Sequence, residues 1–472
     1  MGQEIASSRF TSQDFAEFKA RLEAETRLLE QWFRDGLFSD AHPVGGFELE
    51  CCLLDNQGSP APINQRFLEN FDNPLVVPEL ATFNLEINST ARTLEGQVFS
   101  RMARELERLW ADCNRTAVAL DSRMAMIGIL PTLGVEHLTL ANMSPLNRYR
   151  ALNEQVFKLR RGKPVELDID GRVPLHMQHD DVMLESATTS FQIHLQVNAR
   201  QAAHVYNLSK MVSGPMVAIT ANSPFLFGHE LWDETRIPLF EQSISVGASD
   251  LTKRVSFGIR YVYESVFENF DANLQRYPIL LPKLMEEPVE RLAHLCLHNG
   301  TIWRWNRPLI GFDPLGRPHL RIEHRVVPAG PSVIDSIANA ALYFGLMQGL
   351  EADYAMLAGQ IDFQQARRNF YTAARHGLAA ELQWTESRKL DAVTLFNEIL
   401  LPRAVSGLQR LGVDDAEIEQ WLGVIHNRLA AQQTGAEWQR KWVHRYGNDR
   451  QGLVQAYLER QESGNPVHEW GL

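Results

Sequence analysis

The chain is poor in the features that announce most chemistries. It has four cysteines in 472 residues (Cys51, Cys52, Cys113 and Cys296), with no CxxC pair and no spacing that suggests a disulfide framework or a thiolate metal knuckle. There is no GxxxxGK[ST] or GxGxxG loop to cradle phosphates, no GxSxG elbow for a nucleophilic serine, and no HExxH, because no second histidine follows His229-Glu230 in register. Long apolar runs are missing too. The nearest, Ala340 to Leu350, is far shorter than the ~20 residues of a membrane span. The first residues, MGQEIASSRF, carry charge and lack the apolar centre of a signal peptide, so a soluble cytoplasmic protein is expected. Positive charge is also in deficit: 46 Lys and Arg against 58 Asp and Glu leave a formal net charge of −12. A nucleic acid as main partner is therefore not expected, since phosphate backbones call for a basic surface.

What is present is an ordinary globular chain, 44% hydrophobic and 22% charged. Apolar spacing predicts a helix from Ser12 to Phe33, stopped near Gly36 and Pro43. Alternation predicts strands from Gly45 to Leu54, through Asn84 to Asn88, from Phe191 to Val197 and from Leu320 to Val326. A long helix is expected over 94–120, short β-like runs between 125 and 140, and a polar surface hairpin or loop over 160–185. From Pro331 onward the pattern is almost wholly helical, with breaks near Gly377, Gly412 and Gly435. Strands and helices without regular βαβ alternation point to the α+β class with an antiparallel sheet.

Four segments place charge inside apolar strands. Glu48 and Glu50 are two apart, so both carboxylates leave the same face of a strand whose neighbours Phe47, Leu49, Cys51 and Leu53 are apolar. Glu86 lies between Leu85 and Ile87, seven residues after Glu79. His194 shares a face with Gln192 and Gln196. Arg321, Glu323 and Arg325 share one face of the last strand. Each has a plainer reading: a solvated strand face, a satisfied core histidine or a same-strand ion pair. Carboxylates on interior strands, however, need cations or donors to offset their desolvation. His294 with His298, and the run His176 to Asp181, read as helix-end and loop residues rather than metal sites.

Taken in order, these segments resemble glutamate–cysteine ligase family 2 and, more distantly, glutamine synthetase. Asn147-Arg148-Tyr149, Ala221-Asn222-Ser223-Pro224-Phe225, Ile302 to Pro308 and Pro331 to Asp335 are similar to neighbouring phrases of the family. The resemblance implies a glutamine-synthetase-like curved antiparallel sheet with flanking helices and a helical C-terminal region. It divides the chain into an N-terminal helix (1–44), a catalytic domain (45–355) and C-terminal helices (356–472). It implies an ATP-dependent ligase joining a carboxylate, glutamate by its γ-carboxylate, to an amine through an acyl phosphate. Glu48, Glu50, Glu79, Glu86, His194 and Glu323 would hold two or three Mg2+ ions, with Mn2+ as a substitute. Arg325 would face the transferred phosphoryl group, Arg321 the ATP phosphates, and Arg307 and Arg236 substrate or phosphate. A homo-oligomer is compatible with this reading, and the acceptor amine stays open. The alternatives are a guanidino-kinase-like phosphotransferase and a non-catalytic relative that only binds nucleotide or metal.

Overall fold

The computed structural model describes residues 5, 9–246, 253–385 and 388–472; residues 1–4 and 6–8 of the charged N-terminal stretch lie outside them. Helix α1 (Ser12–Asp35) opens on a capping box, in which the Asp14 backbone N–H donates to Thr11 and the Thr11 N–H donates to the Asp14 carboxylate. It ends at Gly36, whose φ of 67° is the left-handed conformation that glycine adopts at least cost. Phe18, Leu22, Leu29 and Trp32 form its buried stripe.

The strands follow in chain order as β1 (Val44–Leu54), β2 (Val76–Pro78), β3 (Asn84–Asn88), β4 (Arg92–Thr93), β5 (Arg123–Ala125), the hairpin β6 (Val165–Ile169) and β7 (Leu175–His179), and β8 (Phe191–Val197). The short pair β9 (Phe225–Leu226) and β10 (His229–Glu230) precedes β11 (Asn306–Phe312), β12 (Pro318–His324), and the hairpin β13 (Glu381–Thr385) and β14 (Arg388–Asp391). Eight of them form the main sheet in the order β11-β12-β8-β1-β3-β2, with β4 and β5 also paired to β1. Every pairing along this path is antiparallel. The α+β class with a curved antiparallel sheet is therefore as expected.

The remaining helices are α2 (Asn64–Glu69), α3 (Val98–Ala119), α4 (Asn147–Leu159), α5 (Ala202–Thr220), α6 (Arg236–Ser243), α7 (Phe267–Arg276), α8 (Ala293–Gly300), α9 (Val333–Glu351), α10 (Tyr354–Gln360), α11 (Phe363–His376) and α12 (Ala392–Leu395). The chain closes with α13 (Leu401–Arg410), α14 (Asp415–Ala431), α15 (Gly435–Tyr446) and α16 (Arg450–Glu462). Helices α5 and α9 are buried along nearly their whole length. Helix α13 crosses α9 where glycines face each other: a Cβ on Gly407 would collide with the backbone of Gly345 and Gly349. Among the described residues, no helix is long and apolar enough to cross a membrane.

The C-terminal helices satisfy polar groups that the sheet domain leaves open. Arg428 of α14 donates to Asp335 at 2.7 Å, to the Asn339 side chain at 2.7 Å and to the Ile219 carbonyl at 3.1 Å. Asp335 also accepts from the Val467 N–H at 2.9 Å. From α16, Tyr457 and Gln461 donate to the Met126 carbonyl at 2.9 and 3.0 Å.

Those last bonds explain one departure from the sequence pattern. Of the β-like runs expected over 125–140, only Ala125 lies in a strand, at the end of β5, because the Met126 carbonyl pairs with α16 rather than with a ladder, and 135–137 and 140–142 are single 3₁₀ turns. Helix α3 starts at Val98 rather than 94, since Arg92 and Thr93 pair with β1. The helical C-terminal pattern is interrupted by the β13–β14 hairpin. The 160–185 segment is a hairpin, as expected, followed by a 3₁₀ turn (Val182–Ala187) that returns inward.

Arg428 and Asp335 are both almost fully buried. Replacing Arg428 with Met leaves the Asp335 charge without its cation and should destabilise the fold by about 3–5 kcal/mol. Denaturant unfolding followed by circular dichroism measures this, and an unchanged midpoint would show that the pair contributes nothing.

Candidate active site

The strand register assembles the site. Across the sheet, Arg307 of β11 lies opposite Glu323 of β12, and Glu323 lies opposite His194 of β8. His194 in turn faces Gly46 of β1, a position without a side chain to obstruct it. One step along, Glu48 faces Gln192 on one side and Asn88 on the other, and Glu50 pairs with Glu86. Side chains alternate along a strand, so Glu48 and Glu50 leave the same face roughly 7 Å apart along the backbone. Five strands therefore direct their polar side chains into one cavity of about 640 Å³, whose lining includes Glu48, Glu50, Glu79, Glu86, Arg307, Arg321, Glu323 and Arg325.

The cavity has two electrostatic halves. In the first, Arg307 grips Glu323 with two parallel bonds of 2.7 and 2.8 Å, and Arg325 reaches the same carboxylate at 3.2 Å. Burial works against the Glu323 charge, but Arg307 and Arg325 outweigh it and hold the carboxyl well below the usual range. His194 Nε2 lies 3.4 Å from Glu48 and 3.8 Å from Glu323. Burial pushes the imidazole down to about 4, against the upward pull of the two carboxylates, so it is neutral at physiological pH. Both ring nitrogens are buried without a hydrogen-bond partner. Burial would raise the Glu48 pKa, yet it lies below the usual value, with the Arg325 charge among the influences that lower it. Ligand atoms of Glu48, His194 and Glu323 all lie within 4.8 Å of one another, a three-residue set that fits a divalent ion. An unpartnered neutral imidazole beside two carboxylates is the chemistry such an ion requires.

In the second half the carboxylates face each other. Glu50 accepts from the Ser190 N–H at 2.6 Å and from Gln192 at 2.8 Å, and Glu86 accepts from Asn88 at 2.9 Å. Glu79 follows the end of β2 and is touched by the Tyr149 hydroxyl at 3.5 Å. Burial, with the Glu79 charge added, lifts Glu50 to about 7. Burial and then the like charges of Glu48 and Glu79 also raise Glu86 well above the usual carboxylate range. This half fits a cation, because oxygen donors from several strands converge where few protein cations offset them.

Arg236 is not among the residues brought together. It is buried below the sheet, with Nε on Glu234 at 2.9 Å and its other nitrogens on the carbonyls of Arg325 and Val326. Its guanidinium holds the chain that leaves β12 and does not face the cavity, in correction of the expected substrate- or phosphate-facing role. Arg321 does line the cavity, and its Nε is buried without a partner.

Glu185 was not singled out from the sequence. It sits in the 3₁₀ turn behind the β6–β7 hairpin, lines the cavity, and is raised well above the usual range by burial and then by Glu79 and Glu50. No periodicity marks a carboxylate on an irregular turn, so only its place after a polar loop could have hinted at it. Gln192 was noted only as a face-mate of His194; it bridges Glu50 to Arg325. The two decoys are structural. His294 stands in the first turn of α8, not the last, where its ring meets Glu25 at 2.5 Å and the Met285 N–H at 3.1 Å. His298 meets the Asn273 carbonyl at 3.1 Å, while His176 and His179 pair with Asp168 and Asp181 in and after the hairpin.

The fold has similar counterparts among solved structures. A glutamate–cysteine ligase from Francisella tularensis, solved in complex with AMP, superposes with a TM-score of 0.54 over 92% of this chain and 90% of that one, at 9% identity. A bifunctional glutathione synthetase from Pasteurella multocida gives a TM-score of 0.47 at 11% identity, over 93% of this chain and 55% of that one. No curated protein sequence matches the chain. The family model of glutamate–cysteine ligase family 2 (GCS2) matches residues 44–460, a span that runs through the sheet and on through the C-terminal helices. The chain belongs to glutamate–cysteine ligase family 2, and with it to the ATP-dependent ligases that join a carboxylate to an amine.

Proposed function

We propose that the protein joins the γ-carboxylate of glutamate to an amine, with ATP consumed to ADP and phosphate through an acyl phosphate. The observation that carries this reading is the Glu48–His194–Glu323 set, whose Glu323 carboxylate is shared with Arg307 and Arg325. A free carboxylate is a poor electrophile, and transfer of the γ-phosphoryl group gives it a leaving group that an amine can displace. Two or three Mg2+ ions, held by Glu48, His194 and Glu323 on one side and by Glu50, Glu79 and Glu86 on the other, would supply the positive charge that brings ATP phosphates to an acidic wall.

The protein's own residues would do the remaining work. Arg325 presents a guanidinium whose Nε is buried and unpartnered, suited to oxygens of the phosphoryl group in transfer. Arg307 holds Glu323 by both oxygens and so keeps it ionised and oriented. Arg321, on the same strand face and with an unpartnered Nε, would meet the ATP phosphates. Gln192 ties Arg325 to Glu50 and links the two halves. The other wall, with Leu281, Trp303, Leu309 and Phe312, excludes water from an intermediate that hydrolysis would waste. No side-chain nucleophile is required.

Four outcomes test this assignment. Calorimetric ATP binding should collapse when Mg2+ is chelated, and equally tight binding in excess chelator would refute the metal-bridged site. Changing Glu48, Glu50 or Glu323 to Gln keeps shape while removing charge, and should lower kcat by roughly two orders of magnitude or more with the fold retained. Near-normal turnover in all three variants would make these carboxylates purely structural. Arg325→Lys keeps the charge and loses the planar fork, so it should not restore activity; full activity would favour a simple ion pair. Hydroxylamine should intercept the acyl phosphate, giving glutamyl hydroxamate, ADP and free phosphate from glutamate, ATP and Mg2+. AMP and pyrophosphate would point to adenylation instead. A stable phosphorylated product without phosphate release would point to a guanidino-kinase-like phosphotransferase.

A further inference from the structure

A second polar pocket lies outside the catalytic cavity and shares no lining residue with it. It is enclosed by α5, α7, the segment 256–262 and Arg304, and its volume is about 50 Å³. Two cations reach it from the core: Lys210, 1% exposed, and Arg304, 6% exposed. Lys210 Nζ donates to the Phe257 carbonyl at 2.6 Å, stands 4.8 Å from the Tyr206 ring centre and 5.0 Å from that of Phe257. Gly258, with φ of +96°, leaves its head group room: a Cβ there would sit 3.1 Å from Nζ. Arg304 lies over the Tyr277 ring at 5.4 Å, and its Nη1 is buried with no hydrogen-bond partner.

Among the described residues, neither cation has a carboxylate partner. The one acid in the lining, Glu268, is engaged by Arg260 and by the N–H groups of Tyr263 and Glu264. Burial, followed by the like charge of Arg304, lowers the Lys210 pKa to about 7. A third buried cation, Arg254, also lies over the Tyr277 ring, at 5.9 Å, and donates to the Thr301 and Pro278 carbonyls. Buried cations are ordinarily paired, because each costs several kcal/mol to desolvate alone. Among the described residues no such paired group is present, while an unsatisfied guanidinium and an ammonium with spare donors line an enclosed space.

We propose that this pocket binds a small tetrahedral oxyanion, of the inorganic phosphate class, between Lys210 and Arg304. The space holds about four water-sized spheres, which suits one such anion and excludes a nucleotide or an amino acid. Rim residues Arg260 and Arg276 provide a basic entrance. Arg304 also stands three residues before Arg307, on the segment that leads into β11, so the anion would sit beside the edge of the catalytic sheet.

Thermal unfolding without nucleotide or Mg2+, at matched ionic strength, tests the site. Phosphate should raise the wild-type Tm saturably, by about 2–4 °C at a hundredfold excess over Kd, and sulfate should act similarly. Chloride should not; an equal response to chloride would overturn the oxyanion assignment. Lys210→Met and Arg304→Gln should each lose the phosphate-dependent rise, and Lys210→Met should match or exceed the wild-type Tm in phosphate-free buffer, because a buried repulsion is relieved. Arg325→Lys, altered in the catalytic cavity, should keep the rise. A rise that survives in folded Lys210→Met, or that vanishes only in Arg325→Lys, would place the anion in the catalytic cavity and refute this site. If neither pocket variant folds, wild-type calorimetry decides: heat of phosphate binding that persists under saturating ATP and Mg2+ supports the second site, and its abolition overturns it.

Discussion

Convergence of acidic side chains on the concave face of an antiparallel sheet is the constraint around which the rest is arranged. The register brings Glu50 beside Glu86 and Glu323 beside His194, whatever their charges prefer. Left alone, such a wall would take up protons, as the raised Glu50, Glu86 and Glu185 show. Glu323 escapes because two guanidiniums are committed to it. The site is thus divided into a half that the protein itself keeps ionised and a half whose carboxylates are raised toward the protonated form, a division that suits the metal–phosphate chemistry proposed for it.

Holding that wall in place takes more than the sheet. Arg236 ties down the two carbonyls after β12, so the turn that carries Arg325 leaves the strand along one path. Behind it, Asp335 and Arg428 join the start of α9 to α14, and α16 caps the Met126 carbonyl. The C-terminal helices hydrogen-bond to segments adjoining the catalytic strands, in keeping with a family match that continues to residue 460.

Basic residues serve two ends here. Around the main cavity they counter carboxylates. Among the described residues, Lys210 and Arg304 instead meet aromatic rings and a carbonyl, which is the setting of the oxyanion site proposed above.

The sequence by itself determined the strands that carry Glu48, Glu50, Glu86, His194, Arg321 and Glu323, because a charge between apolar neighbours on an alternating strand is legible from local order alone. It also gave away the ends of α1, where capping and glycine conformation are local effects. Tertiary structure decided what local order does not encode. Arg236 reads like any other arginine near the motifs, but its burial against the carbonyls of Arg325 and Val326 removes it from the cavity. Glu185 enters the cavity from an irregular turn with no periodicity to mark it. The stretch after Ala125 has strand-like composition, yet its Met126 carbonyl is taken by side chains some 330 positions away, and a ladder cannot form on a group already spent. Pairing partners lie at long sequence separation, and only the folded chain brings them within hydrogen-bond reach.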